Sequence, residues 1–150
     1  MIAQVKEPLG KPDVQLAGLK IWIHGRQFPD CDDYWDGNWL NVTAFCGTAE
    51  ACVWTGGHII HLSEISHFRI GAARLYQEIS GEAELPCLEP ELAVELKSQD
   101  LGHIEMIVNI TPDSVSQAHR FIFNIDQSYL PPLIADCDEI LEKYPLVGEK

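Results

Sequence analysis

The sequence is short of cations. Ten Lys and Arg stand against 23 Asp and Glu in 150 residues, giving a formal net charge of −13. Non-specific nucleic-acid binding draws its affinity from Lys and Arg that displace counterions from phosphates, and this chain has few to offer. An anionic membrane surface repels it for the same reason. No apolar run approaches the roughly 18 residues that suggest a membrane span. The opening residues, MIAQVKEPLGKPDV, lack a signal-peptide layout. The five cysteines (Cys31, Cys46, Cys52, Cys87 and Cys137) are odd in number, scattered and never spaced C-x-x-C. That pattern fits reduced thiols in the cytoplasm better than a disulfide framework.

Other absences narrow the chemistry. The chain carries no G-x-S-x-G elbow, no Cys/His catalytic signature and no Gly-rich phosphate loop. No catalytic residue and no cofactor are therefore assigned, and the expectation is a protein that is not an enzyme. Repeats, low-complexity tracts and long linkers are also missing, so residues 1–150 read as a single domain. Residues 1–13, with Pro8, Gly10 and Pro12, read as a loose or edge-lying arm.

What is present is alternation. Leu19, Ile21 and Ile23 predict one strand, and Leu40, Val42, Ala44 and Cys46 predict a second within Trp39–Cys46. Ala51–Thr55 and His58–His61 read as two short strands around a Gly56-Gly57 hairpin turn. Glu82–Leu88, Glu91–Lys97, His103–Ile110 and Ala118–Ile125 continue the series, the first interrupted by Pro86. The period becomes helical twice. Over residues 63–80, Ile65, Phe68, Ala72, Leu75, Tyr76 and Ile79 share a face, with Ser63 expected as N-cap and Gly81 as C-cap. Over about residues 128–144, Leu133, Ile134, Cys137, Ile140, Leu141 and Tyr144 form a stripe opposite Asp136, Asp138, Glu139 and Glu142. The expected fold is α+β: a mostly antiparallel sheet of about six to eight strands with two helices packed on it.

Two constellations are candidates for function. The first lies within the polar stretch from Gly25 to Gly37 and just beyond it: Asp30, Asp32, Asp33, Tyr34, Trp35, Asp36 and Trp39. An EF-hand does not fit, since counting from Asp30 puts Tyr34, Trp35 and Asn41 where an oxygen ligand, Gly and Glu belong. Acids interleaved with aromatics instead have the composition of a protein-binding surface, with charge to steer and rings to anchor. A basic protein is the partner such a surface attracts most easily. The second is Cys46, Cys52, His58 and His61, spaced C-x5-C-x5-H-x2-H. These residue types bind zinc, although the cysteine spacing is longer than in structural fingers. A small zinc-binding or metal-dependent protein is the alternative reading, and an acidic interaction domain, oligomeric through an exposed sheet edge, is another.

Four segments carry a family resemblance: Arg26-Gln27-Phe28-Pro29, Asp33-Tyr34-Trp35-Asp36-Gly37-Asn38-Trp39-Leu40, Glu89-Pro90-Glu91-Leu92 and Phe123-Asn124-Ile125-Asp126-Gln127-Ser128-Tyr129-Leu130. Together with Tyr144-Pro145 they resemble the WapI-type family of small bacterial immunity proteins over roughly residues 15–147. The resemblance implies a cytoplasmic protein that binds and blocks the toxic domain of a contact-dependent toxin, often a nuclease. It carries over no catalytic residue. The tryptophans of the matching strings fit either role, packing or contact.

Overall fold

The computed structural model describes residues 9–150. The expected N-terminal arm therefore falls partly outside the described residues. Eight strands form two four-stranded antiparallel sheets, one in the order β1-β2-β3-β4 and the other β5-β6-β7-β8. The first sheet contains β1 (Val14–Leu16), β2 (Leu19–Arg26), β3 (Trp39–Gly47) and β4 (Cys52–His61). The second contains β5 (Glu82–Leu85), β6 (Leu92–Ser98), β7 (His103–Ile110) and β8 (Arg120–Asp126). Helix α1 (Tyr34–Gly37) is a single turn between β2 and β3. Helix α2 (Leu62–Glu78) joins the sheets, and α3 (Leu130–Lys143) closes the chain. The fold is α+β, with two sheets where the sequence pattern suggested one.

Alternation explains the layering. On β3 the side chains of Leu40, Val42, Ala44 and Cys46 are buried while the intervening residues are partly exposed. On β7 the buried set is Ile104, Met106, Val108 and Ile110. These faces share one core with the stripes of α2 and α3. Each fully buried Leu or Ile in it stabilises the fold by roughly 1.5–3 kcal/mol through apolar burial. Helix α2 packs against α3 and β5, and α3 also reaches β1.

Several local expectations are corrected. Gly56-Gly57 is not a turn: β4 runs continuously through it, with Gly56 opposite Thr43 and Gly57 opposite Val42. A Cβ on Gly56 would lie 2.9 Å from the Val42 carbonyl oxygen, so glycine here permits close strand approach. The turn lies earlier, where Thr48 N donates to Ala51 O. The stretch from Gly25 to Gly37 is not all loop, since it holds the end of β2 and α1. The N-cap of α2 is His61 rather than Ser63, because the imidazole accepts the Ser63 amide proton. The helix ends at Ile79 in the left-handed region, not at Gly81. Ile79 thus lies past the helix, and Tyr76 sits beside the buried stripe, so both are about half exposed.

Candidate functional site

The acidic segment sits on a short, firmly held frame. Asp33 caps α1, its carboxylate accepting from the amides of Trp35 (3.1 Å) and Asp36 (3.0 Å). Asn38, directly after α1, is fully buried and uses both ends of its amide. Its Nδ2 donates to Tyr34 O (2.7 Å) and Val147 O (2.9 Å), and its Oδ1 accepts from Val147 N (3.0 Å) and Arg26 Nη1 (3.2 Å). Arg26 reaches on to Gly37 O at 2.9 Å and to Pro145 O. One buried amide and one guanidinium therefore tie β2, α1 and the C-terminal tail together. Gly148, at φ +72°, lies against this frame, where a Cβ would come within 2.6 Å of Tyr34 N and 2.7 Å of Asp32 O.

Beneath α1 stands His61, 1% exposed. Its Nε2 donates to Tyr34 O (3.1 Å), which leaves Nδ1 to accept from Ser63 N (3.2 Å) and the Ser63 hydroxyl (2.7 Å). Only the neutral ring satisfies this set. Burial pushes the His61 pKa down, against a weaker upward pull from the backbone of Tyr34 and Trp35. The rings of Tyr34, Trp35 and Trp39 surround the imidazole at centroid distances of 5.4, 5.8 and 5.0 Å. Glu64 locks the next layer: one carboxylate oxygen accepts from His61 N and the other from Leu88 N, each at 2.7 Å.

The surface this frame presents is acidic and aromatic. Asp30, Asp32, Asp33 and Asp36 are exposed, and Trp35 and Phe28 are each 49% exposed. Lys150 Nζ lies 5.9 Å from the Trp35 ring centroid, within cation–π reach. Tyr34 and Trp39 are partly buried and serve chiefly as supports around His61. The structure thus brings the seven predicted residues to one loop and its floor. Sequence reasoning missed Arg26, Asn38, His61's capping role and the tail at Pro145–Gly148. Arg26, Asn38 and Pro145 all stand inside the strings that carried the family resemblance, which was the available signal.

The cysteine–histidine set is not brought together. Cys46 is opposite Val53 and points into the core, while Cys52 and His58, opposite Gly47 and Asn41, lie on the other face of the sheet. Cys52 and His58 stand six positions apart along β4, roughly 20 Å at about 3.3 Å per residue. His61 is already committed to Tyr34 and Ser63. Among the described residues, no group of three or more His, Cys, Asp or Glu is placed to hold a metal ion. Burial pushes the Cys46 and Cys137 thiols up to about 12 and the Cys87 thiol higher still, so these remain protonated.

A concavity of about 340 Å³ lies between α2 and the β5–β6 hairpin. His67, Arg74 and Lys97 line it together with Glu82, Glu84 and Glu95. Two cations, Arg74 and Lys97, face three carboxylates there and half of the lining residues are exposed, which makes it a solvated groove rather than a reaction centre. Among the described residues no helix is long and apolar enough to cross a membrane.

A family model described as the Immunity protein WapI-like family matches residues 13–145. No curated protein and no solved structure gives a match.

Proposed function

The chain belongs to the WapI-like immunity protein family, and from that premise we propose that it neutralises a toxin domain in the cytoplasm by binding it directly, through the face formed by Asp30, Asp32, Asp36, Trp35 and Phe28. The observation that carries this reading is the pairing of half-exposed rings with exposed carboxylates on a backbone that Asn38 and Arg26 hold rigid. Exposed aromatic anchors on a fixed frame lose little conformational entropy when covered. The surrounding carboxylates steer a basic partner, and nucleases are basic where they grip phosphates. The protein acts by occupancy and performs no reaction of its own.

The test is binding to a toxin-like domain encoded by a neighbouring gene, measured at low and moderate salt, with that domain's toxic activity, a nuclease assay first, followed in parallel. Tight binding that abolishes activity, with an association rate that falls as salt rises, is the expected result. A partner that binds equally well when Trp35 and Phe28 are replaced by Ala would remove this face from the interface. Absence of any binding would overturn the toxin-inhibitor reading itself.

A further inference from the structure

Every sheet has two edges, and an unprotected edge pairs with other chains. Three of the four edges here are protected. Strand β1 has three residues, and the outward amide of Gln15 donates to the Asp136 carboxylate on α3 at 3.2 Å. Strand β5 has four residues and lies under α2. Strand β4 carries a register shift opposite Leu40/Asn41 and a left-side φ of +129° at Gly57. Strand β8 has none of these devices. It is seven residues long, pairs with β7 without a register shift, and has only β7 as an extensive neighbour among the described elements.

The polarity of that edge can be read. Ile110 N donates to His119 O across the β7–β8 pair. Antiparallel hydrogen bonds alternate, so Phe121, Phe123 and Ile125 turn their backbone groups toward β7. The N–H and C=O groups of Arg120, Ile122 and Asn124 and the N–H of Asp126 face outward, the Asp126 C=O being taken by the turn at Gln127–Tyr129, and all four side chains are exposed, Ile122 at 56%. The strand reads Arg-Phe-Ile-Phe-Asn-Ile-Asp, with a cation at one end and an anion at the other.

We propose that β8 is a self-pairing edge: two copies of this chain join β8 to β8 antiparallel about a two-fold axis through Phe123, making one eight-stranded sheet. In that register Arg120 stands opposite Asp126 of the second copy, twice, and Ile122 opposite Asn124. These are the positions whose backbone groups face outward, so Ile122 and Asn124 form fully hydrogen-bonded pairs, and each outer pair adds the Asp126 N–H donating to the Arg120 C=O of the second copy. The Asp126 carboxylate has room for the arginine, since Ser128 occupies only Oδ1. Phe123, partly buried beside Phe121 at 6.4 Å between centroids, meets its symmetry mate at the closely spaced, non-hydrogen-bonded pair on the axis. Net charge opposes association, because each copy carries −13. At about 0.15 M salt the screening length is about 8 Å, which weakens that long-range repulsion more than the contact pairs.

Sedimentation equilibrium over a wide concentration range reads the outcome. The wild type is expected to pass from 16.8 kDa to twice that mass as concentration rises. Ile122→Pro deletes an outward N–H that β7 does not use, and it should leave the fold and abolish the dimer. Arg120→Glu sets like charges opposite each other at two places and should weaken association about 10-fold, with Asp126→Lys in the same chain restoring it. That charge-swap pair decides the question if the proline variant fails to fold. A wild type that stays monomeric throughout overturns the proposal. So does a dimer that both variants leave intact, or a monomer whose toxin binding is lost in Ile122→Pro, which would make β8 an edge for the partner's strand.

Discussion

Two acidic regions of this molecule look alike in sequence and differ in structure. The outer side of α3 carries Asp136, Asp138, Glu139 and Glu142, and the α1 loop carries Asp30, Asp32, Asp33 and Asp36. On α3 the charges serve the fold or face water. Asp138 pairs with Arg69 at 2.9 Å, Asp136 caps the β1 edge, and no aromatic residue lies between them. On the loop, only Asp33 is spent on structure, and exposed rings stand among the remaining acids. Negative charge is therefore not the mark of a binding surface here. The mark is apolar area left open on a backbone that the protein has gone to some length to fix.

That contrast can be broken or sharpened, beginning with the frame. Asn38→Ala leaves the part-buried N–H and C=O of Val147 without their partner, takes one of two donors from Tyr34 O and one acceptor from Arg26, and should cost about 3 kcal/mol. Urea unfolding measures it, and amide exchange should show the tail at Val147 losing protection. Trp35→Ala, in contrast, should cost the isolated protein little and the complex about 2 kcal/mol, read as a dissociation rate about 30-fold faster. A large loss of stability instead would make Trp35 a packing residue like Trp39.

Neutralising Asp30, Asp32 and Asp36 together as Asn should slow association about 10-fold at low salt, with the dissociation rate little changed. The same treatment of Glu139 and Glu142 should slow it far less, and equal effects would erase the distinction between the two regions. The pH dependence probes the floor of the loop. Burial lowers the His61 pKa below its ordinary 6.5, so the unfolded chain takes up the proton first. Stability should therefore fall as pH drops from about 6.5 toward the lowered folded value, and His61→Gln should flatten that slope in urea titrations. Glu64 works in the opposite sense. Burial raises its pKa above 4.5, so its contribution declines as pH rises through that window. The smallest effect belongs to α3: Arg69→Ala removes an exposed ion pair and should change stability by at most about 0.5 kcal/mol.

Much of the fold was legible because its signals are local. Period-two alternation found β2, β3, β6 and β7 with their inward residues, and the helical stripes found α2 and α3. The failures are where a local rule met a tertiary constraint. Gly56-Gly57 has turn chemistry, yet β3 runs alongside and holds it extended. Ser63 is a good N-cap type, yet the His61 imidazole, fixed by Tyr34 above it, takes the role.

The candidate site divides the same way. Composition picks out the acidic, aromatic loop, and the strings around it identify the family, because both are properties of neighbouring residues. Whether those aromatics are anchors or packing depends on what lies beneath them. Asn38 meets Val147 across 109 residues of chain, and Arg26 meets Pro145 across 119. By itself the sequence determined the α+β pattern, the charge and the family. Tertiary structure alone decided which rings stay exposed, which cysteines and histidines part company across a sheet, and which sheet edge no other described element covers. Periodicity reports one residue's side of one element, whereas those outcomes depend on register and on contacts between segments far apart in the chain.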